Sequence, residues 1–195
     1  MMLTKKAVKT INDKLFPTLK NKDYSFQQFI ITFSGVPGTG KTNIAKNLEE
    51  KYKAVRINND YIREIIRNEK LAEFELETEQ LLQEYNFDLT TKIPFQNKRI
   101  ILDKSMDRRY EWFLGVCESN NLKYFLIRLN VNSPREALKM LSKREKITQV
   151  EISSMERWFK EYKDCVKNFK ADVTLNSINP DLSGLYKKLD KIFID

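Results

Sequence analysis

Apolar and polar positions follow two different periods along this chain, and the switches between them mark its elements. Phe29-Ile30-Ile31-Thr32-Phe33-Ser34 is a β-branched and aromatic run of the kind that forms a buried strand. Four further runs read the same way: Ala54–Asn58, Arg99–Asp103, Tyr124–Asn130 and Asp172–Asn176. After the first strand, Ile44, Ala45, Leu48 and Tyr52 mark one face of a helix. Further helices are expected near 60–69, 72–91, 107–120, 134–145, 152–169 and 182–193. Alternation of this kind predicts an α/β fold: a five-stranded parallel sheet sandwiched by helices through right-handed crossovers.

Ahead of the first strand, Leu3, Ala7, Val8, Ile11, Leu15 and Leu19 recur at helical spacing with lysines between them. They predict a helix that packs on the domain, so residues 1–28 read as an N-terminal helical extension and 29–195 as the domain itself. The segment lacks the apolar core of a secretory signal, and no run approaches the roughly 18 apolar residues of a membrane span. A cytoplasmic protein with no membrane partner is the expectation.

Composition narrows the chemistry. The 195 residues include no histidine, which excludes imidazole bases, Ser-His-Asp and Cys-His hydrolases and His-Glu-x-x-His zinc sites. Cys117 and Cys165 stand apart with no C-x-x-C spacing and read as reduced thiols. The net charge of +8 is uneven: residues 1–28 carry +4, 60–98 carry −4 and 135–146 carry +3. An anionic partner fits the total. The acidic run Glu73, Glu75, Glu77, Glu79, Glu84 and Asp88 would repel one unless it faces solvent.

The glycines are concentrated where chemistry would need them. Gly35-Val36-Pro37-Gly38-Thr39-Gly40-Lys41-Thr42 matches G-x-x-x-x-G-K-[ST] without departure, between a strand and a helix. Such a loop turns tightly enough for successive backbone N–H groups to surround a phosphate, with glycine where a side chain would block the approach. Lys41 reaches the β- and γ-phosphates of a nucleotide, and the Thr42 hydroxyl can ligate Mg²⁺.

The remaining parts separate transfer from hydrolysis. Ile100-Ile101-Leu102-Asp103 is an apolar strand ending in a carboxylate suited to the Mg²⁺ shell. Lys104 follows it, where motor ATPases commonly place a water-activating glutamate. The Asp-x-x-Gly that GTPases place after this strand and their Asn-Lys-x-Asp are both missing, so transfer to an acceptor other than water is favoured. After the second strand, Asp60 and Arg63 share a helix face. Asp60 can accept the proton of an acceptor hydroxyl and Arg63 can hold an anion on it. In the structural alternative Asp60 caps the helix and Arg63 is solvated. Ser133-Pro134 starts a helix whose far end presents Lys143, Arg144 and Lys146. A basic lid near 134–148 and an ordinary basic helix end both fit.

The order of cradle, Asp60-x-x-Arg63, Ile-Ile-Leu-Asp103 and Ser-Lys-Arg144 resembles the P-loop kinases of the polynucleotide 5′-kinase and zeta-toxin type, over about residues 29–170. The resemblance implies a P-loop NTPase, nucleoside-kinase-like fold that uses ATP and Mg²⁺. It implies that Gly35, Gly38, Thr39, Gly40, Lys41 and Thr42 hold ATP and that Thr42 and Asp103 serve the metal side. Asp60 would be the general base, Arg63 would contact a phosphate on the acceptor, and Arg144 would be the lid arginine. The chain departs from this family at Met140, where a second lid arginine often stands. A 5′-hydroxyl of RNA or DNA is the leading acceptor. A metabolite, nucleotide sugar or antibiotic is the runner-up, and a nucleotide-gated binding module or weak ATPase is the reading outside kinases.

Overall fold

The computed structural model describes residues 5–15, 29–92, 99–119, 121–143, 147 and 149–193. Its elements are α1 (Lys5–Leu15), β1 (Phe29–Ser34), α2 (Lys41–Tyr52), β2 (Val55–Asn58), α3 (Asn59–Asn68), α4 (Glu75–Lys92), β3 (Arg99–Ser105), α5 (Tyr110–Ser119), β4 (Tyr124–Asn130), α6 (Pro134–Leu141), α7 (Gln149–Asn168), β5 (Val173–Asn176) and α8 (Leu182–Phe193). The five strands form one sheet in the order β2-β3-β1-β4-β5, and every neighbouring pair is parallel.

β1 is central and buried along its whole length, which is why its sequence carries no polar alternation. Successive residues of the inner strands feed opposite faces. Ile30, Ile100 and Leu126 pack with α1, α3, α4 and α5, whereas Phe29, Ile31, Phe33 and Ile127 pack with α2 and α8. A third cluster joins Val36, just past β1, to Ala137 and Leu141 of α6 and to Met155 and Tyr162 of α7. The phosphate-loop segment is thereby fixed to the sheet at one end and to α6 and α7 at the other.

The N-terminal helix docks as its spacing predicts: Ala7, Ile11 and Leu15 are buried. Lys14 pairs with Glu69 at 3.0 Å, and Tyr85 donates its hydroxyl to Asn12 at 2.6 Å. Residues 16–28, where the expected helix ran on to Leu19, lie outside the described residues.

α7 starts at Gln149, three residues before the expected 152, and two other helices start later than expected for local reasons. α5 begins at Tyr110, not 107, because Asp107 bonds to Ser105 and to the backbone of Gly35. α4 begins at Glu75, not 72, because the Glu77 carboxylate accepts from the amides of Glu73 and Phe74 and holds them outside the helix.

Candidate active site

The cradle forms where β1 gives way to α2. Gly38 and Gly40 have φ of +89° and +88°, which side chains rarely tolerate. At Gly38 a Cβ would also come within 2.9 Å of the Leu141 amide nitrogen, so the end of α6 lies directly against the loop. At Gly40 a Cβ would meet nothing within 4 Å, so conformation and not crowding requires glycine there. Gly40 is also the N-cap of α2 and supplies no capping side chain, so no cap covers a helix N-terminus of the kind that favours an anion.

Lys41 curls over this loop. Its Nζ donates to the carbonyls of Gly35 at 2.7 Å and Val36 at 2.6 Å, and lies 3.4 Å from Thr39 Oγ1. Thr39 itself is buried and donates to Val36 O at 2.8 Å. Beneath the loop, the Gly35 amide donates to Asp107 Oδ2 at 3.0 Å, and Ser105 Oγ donates to the same oxygen at 2.6 Å.

Thr42 Oγ1 donates to Asp103 Oδ1 at 3.1 Å, bringing together the two expected Mg²⁺-side residues. Their hard oxygens fit a Mg²⁺ ion that keeps several waters and takes other ligands from nucleotide phosphates. Among the described residues no group of three or more His, Cys, Asp or Glu could hold a metal by itself. Asp103 Oδ2 accepts from Arg56 Nη1 at 2.8 Å, and Arg56 Nε donates to Glu49 at 2.9 Å. The Asp103 side chain is only 2% exposed, so this guanidinium is its counter-charge inside the protein. Burial pulls the Arg56 pKa down, and the hydrogen bonds to Glu49 and Asp103 more than offset it, leaving it raised.

Asp60 lies in the first turn of α3, with its side chain 95% exposed. The cap of this helix is Asn58, whose Oδ1 accepts from the Tyr61 amide at 2.7 Å, and not Asp60 as the structural alternative required. Arg63 reaches Asp60 through Nη1 at 2.7 Å, while its Nε and Nη2 donate to both oxygens of Glu79 at 2.5 and 3.2 Å. Hydrogen bonding to Glu79 is the main cause that raises its pKa. A cavity of about 500 Å³ opens between α2, β2 and α3, with Leu15 of α1 at one side. Thr42, Arg56, Asn58, Asp60 and Asp103 all line it.

Residues 30–164 match the model of AAA_33, an AAA domain family. The chain belongs to this family. No curated protein matches its sequence. Solved structures similar to it include a chain of the PezAT chromosomal toxin-antitoxin system of Streptococcus pneumoniae, at 14% identity and TM-score 0.66, over 91% of this chain and 80% of that one. A shikimate kinase from Bacteroides thetaiotaomicron aligns at 14% identity and TM-score 0.53, over 84% and 97%. A gluconokinase from Sinorhizobium meliloti 1021 aligns at 15% and 0.51, over 78% and 85%. At these identities the likeness concerns the fold, which is that of P-loop kinases.

Three parts of this AAA domain's site were not anticipated from sequence: Arg56 beside Asp103, Asp107 under Gly35, and the Glu79 clamp on Arg63. For Arg56 a signal existed, since a charged residue in an otherwise apolar strand calls for a buried partner. Arg144 and Lys146, expected on the lid, lie outside the described residues.

Proposed function

We propose that this protein is an ATP-dependent phosphotransferase that moves the γ-phosphoryl group to a hydroxyl of an acceptor seated in the cavity between α2, β2 and α3. The observation that carries the reading is the placement of Asp60. It is exposed, released from capping by Asn58, and on the wall of a cavity that also contains Thr42 of the phosphate loop. In the step proposed, the acceptor oxygen forms a bond to the γ-phosphorus and its proton passes to the Asp60 carboxylate. The bond from γ-phosphorus to the bridging oxygen breaks, and its electron pair leaves with ADP.

Lys41 would exchange its loop carbonyls for phosphate oxygens, which are stronger partners for an ammonium. Gly35, Gly38, Thr39 and Gly40 shape the nest, Thr42 and Asp103 would hold Mg²⁺, and Arg144 belongs to the proposed lid. Bound Mg²⁺ would neutralise phosphate charge. A polynucleotide 5′-hydroxyl is the second reading for the acceptor, favoured by the net charge of +8. Lys41→Ala tests the donor half. Nucleotide turnover should fall by about 10²-fold or more with the circular dichroism unchanged. A folded variant that keeps more than about a tenth of wild-type turnover would overturn the reading.

A further inference from the structure

The acceptor cavity has a charge of its own, and it is opposite in sign to that of the whole chain. Of the cations around it, Arg56 is spent on Glu49 and Asp103, and Arg63 has its fork filled by Glu79 and its remaining arm on Asp60. Arg67, one turn further along α3, is engaged by Glu75 at 2.6 Å. The acidic start of α4 therefore neutralises the arginines that a phosphate on the acceptor would need. Lys46, one turn after Thr42 on α2, also lines the cavity.

The cavity lining carries four carboxylates, Glu49, Asp60, Glu64 and Asp103, against Lys46 and Arg56. Asp60 and Glu64 are four residues apart, one helical turn, and both line the cavity. Glu64 is exposed, and its side chain makes no ion pair or hydrogen bond among the described residues. Leu15 and Val55 add an apolar flank. The volume of about 500 Å³ suits a compact small molecule.

We infer that the acceptor is a small hydroxyl compound bearing a protonated amine, an amino alcohol or amino sugar, and not a polyanion. The inference rests on the phosphotransferase reading above. The reacting hydroxyl would lie at Asp60, losing its proton there as its oxygen bonds to the γ-phosphorus and ADP departs. The ammonium would sit against Glu64, and Arg63, clamped by Glu79, would be a positioning residue for Asp60.

The test offers the full chain Mg-ATP with ethanolamine, glucosamine or kanamycin, each beside its N-acetylated form, and with a nucleoside 3′-monophosphate and a 5′-hydroxyl oligonucleotide. Phosphorylated product is read by mass spectrometry. At least one amine should exceed its N-acetylated form by on the order of tenfold in kcat/KM, and the two anionic acceptors should be poor. Glu64→Gln should raise KM for that amine about tenfold and collapse the preference, while Glu64→Asp retains much of it. Equal use of the amine and N-acetyl forms, better use of an anionic acceptor, or no transfer to any amine overturns the inference. Transfer to the oligonucleotide that is lost in Lys41→Ala would sink the amine and leave the phosphotransferase standing. Absence of any Lys41-dependent ATP turnover would remove both.

Discussion

The ion pair of Arg56 and Asp103 couples two jobs in one carboxylate. Asp103 takes the Thr42 hydroxyl on one oxygen and the Arg56 guanidinium on the other, so the charge that would face the metal is held in place by the residue beside it. Removing the guanidinium leaves a buried charge without its partner. Arg56→Met should therefore cost roughly 2–4 kcal/mol of stability, read by urea denaturation. Adding Asp103→Asn should return part of that loss, since an amide needs no counter-charge. If the double variant is as unstable as the single, the charge is not what Arg56 supports. The eight-residue motif of the cradle was legible in sequence because its glycines answer local demands of the backbone and its Lys and Thr stand at fixed spacing from them. Arg56 and Asp107 were not, because their partners come from strands and loops 47 and 72 residues away.

At the level of elements, the strands were legible nearly to the residue, since the inner strands β1, β3 and β4 are near-continuous apolar runs and the outer β2 and β5 alternate. Helix starts were less so. A period gives the face of a helix, but its first residue is decided by which side chain captures the free amides, as Asp107 and Glu77 show. α6 was readable because Ser133 precedes Pro134, and Ser133 Oγ does accept from the Glu136 amide at 3.1 Å. This helix ends with Leu141 against Gly38, so its stability is transmitted to the phosphate loop. Ser133→Ala should lower stability by about 1 kcal/mol, measured by thermal melting, and Ser133→Asp should recover it. An unchanged melt in Ser133→Ala would mean that packing alone sets the start of α6.

For the whole molecule, net charge is a sum over surfaces that do not meet. A chain of +8 carries a carboxylate-rich cavity, and Glu75 and Glu79 of its acidic run pair with arginines of α3. The two cysteines stay buried and unpaired with each other in a disulfide, as their spacing suggested. Burial pushes the Cys117 thiol from an ordinary 9.0 up to about 12, and Cys165 up to about 11. Above pH 9 the unfolded chain thus releases protons that the folded chain keeps, so each thiol lowers stability as pH rises toward its folded value. Lys104, pushed down to about 8 by burial, acts the other way between pH 8 and its ordinary 10.5. Comparing Cys117→Ala with wild type cancels that opposing effect. The stability gap between them should shift in favour of the variant by roughly 1 kcal/mol for the unit from pH 9.5 to 10.5. A gap independent of pH would show that the thiol titrates alike in both states.

The central claim is that Asp60 takes the proton of an acceptor hydroxyl while the loop holds the donor. The most direct measurement follows phosphate by phosphorus NMR in wild type and in Asp60→Asn, with ATP affinity determined separately by calorimetry. The account predicts a phosphate ester formed in step with ADP, slowed by about 10²-fold or more in the variant while ATP affinity and stability persist, because Asn58 and not Asp60 caps α3. Ester formation within about threefold of wild type, or ADP accompanied only by free phosphate whichever acceptor is present, would contradict it.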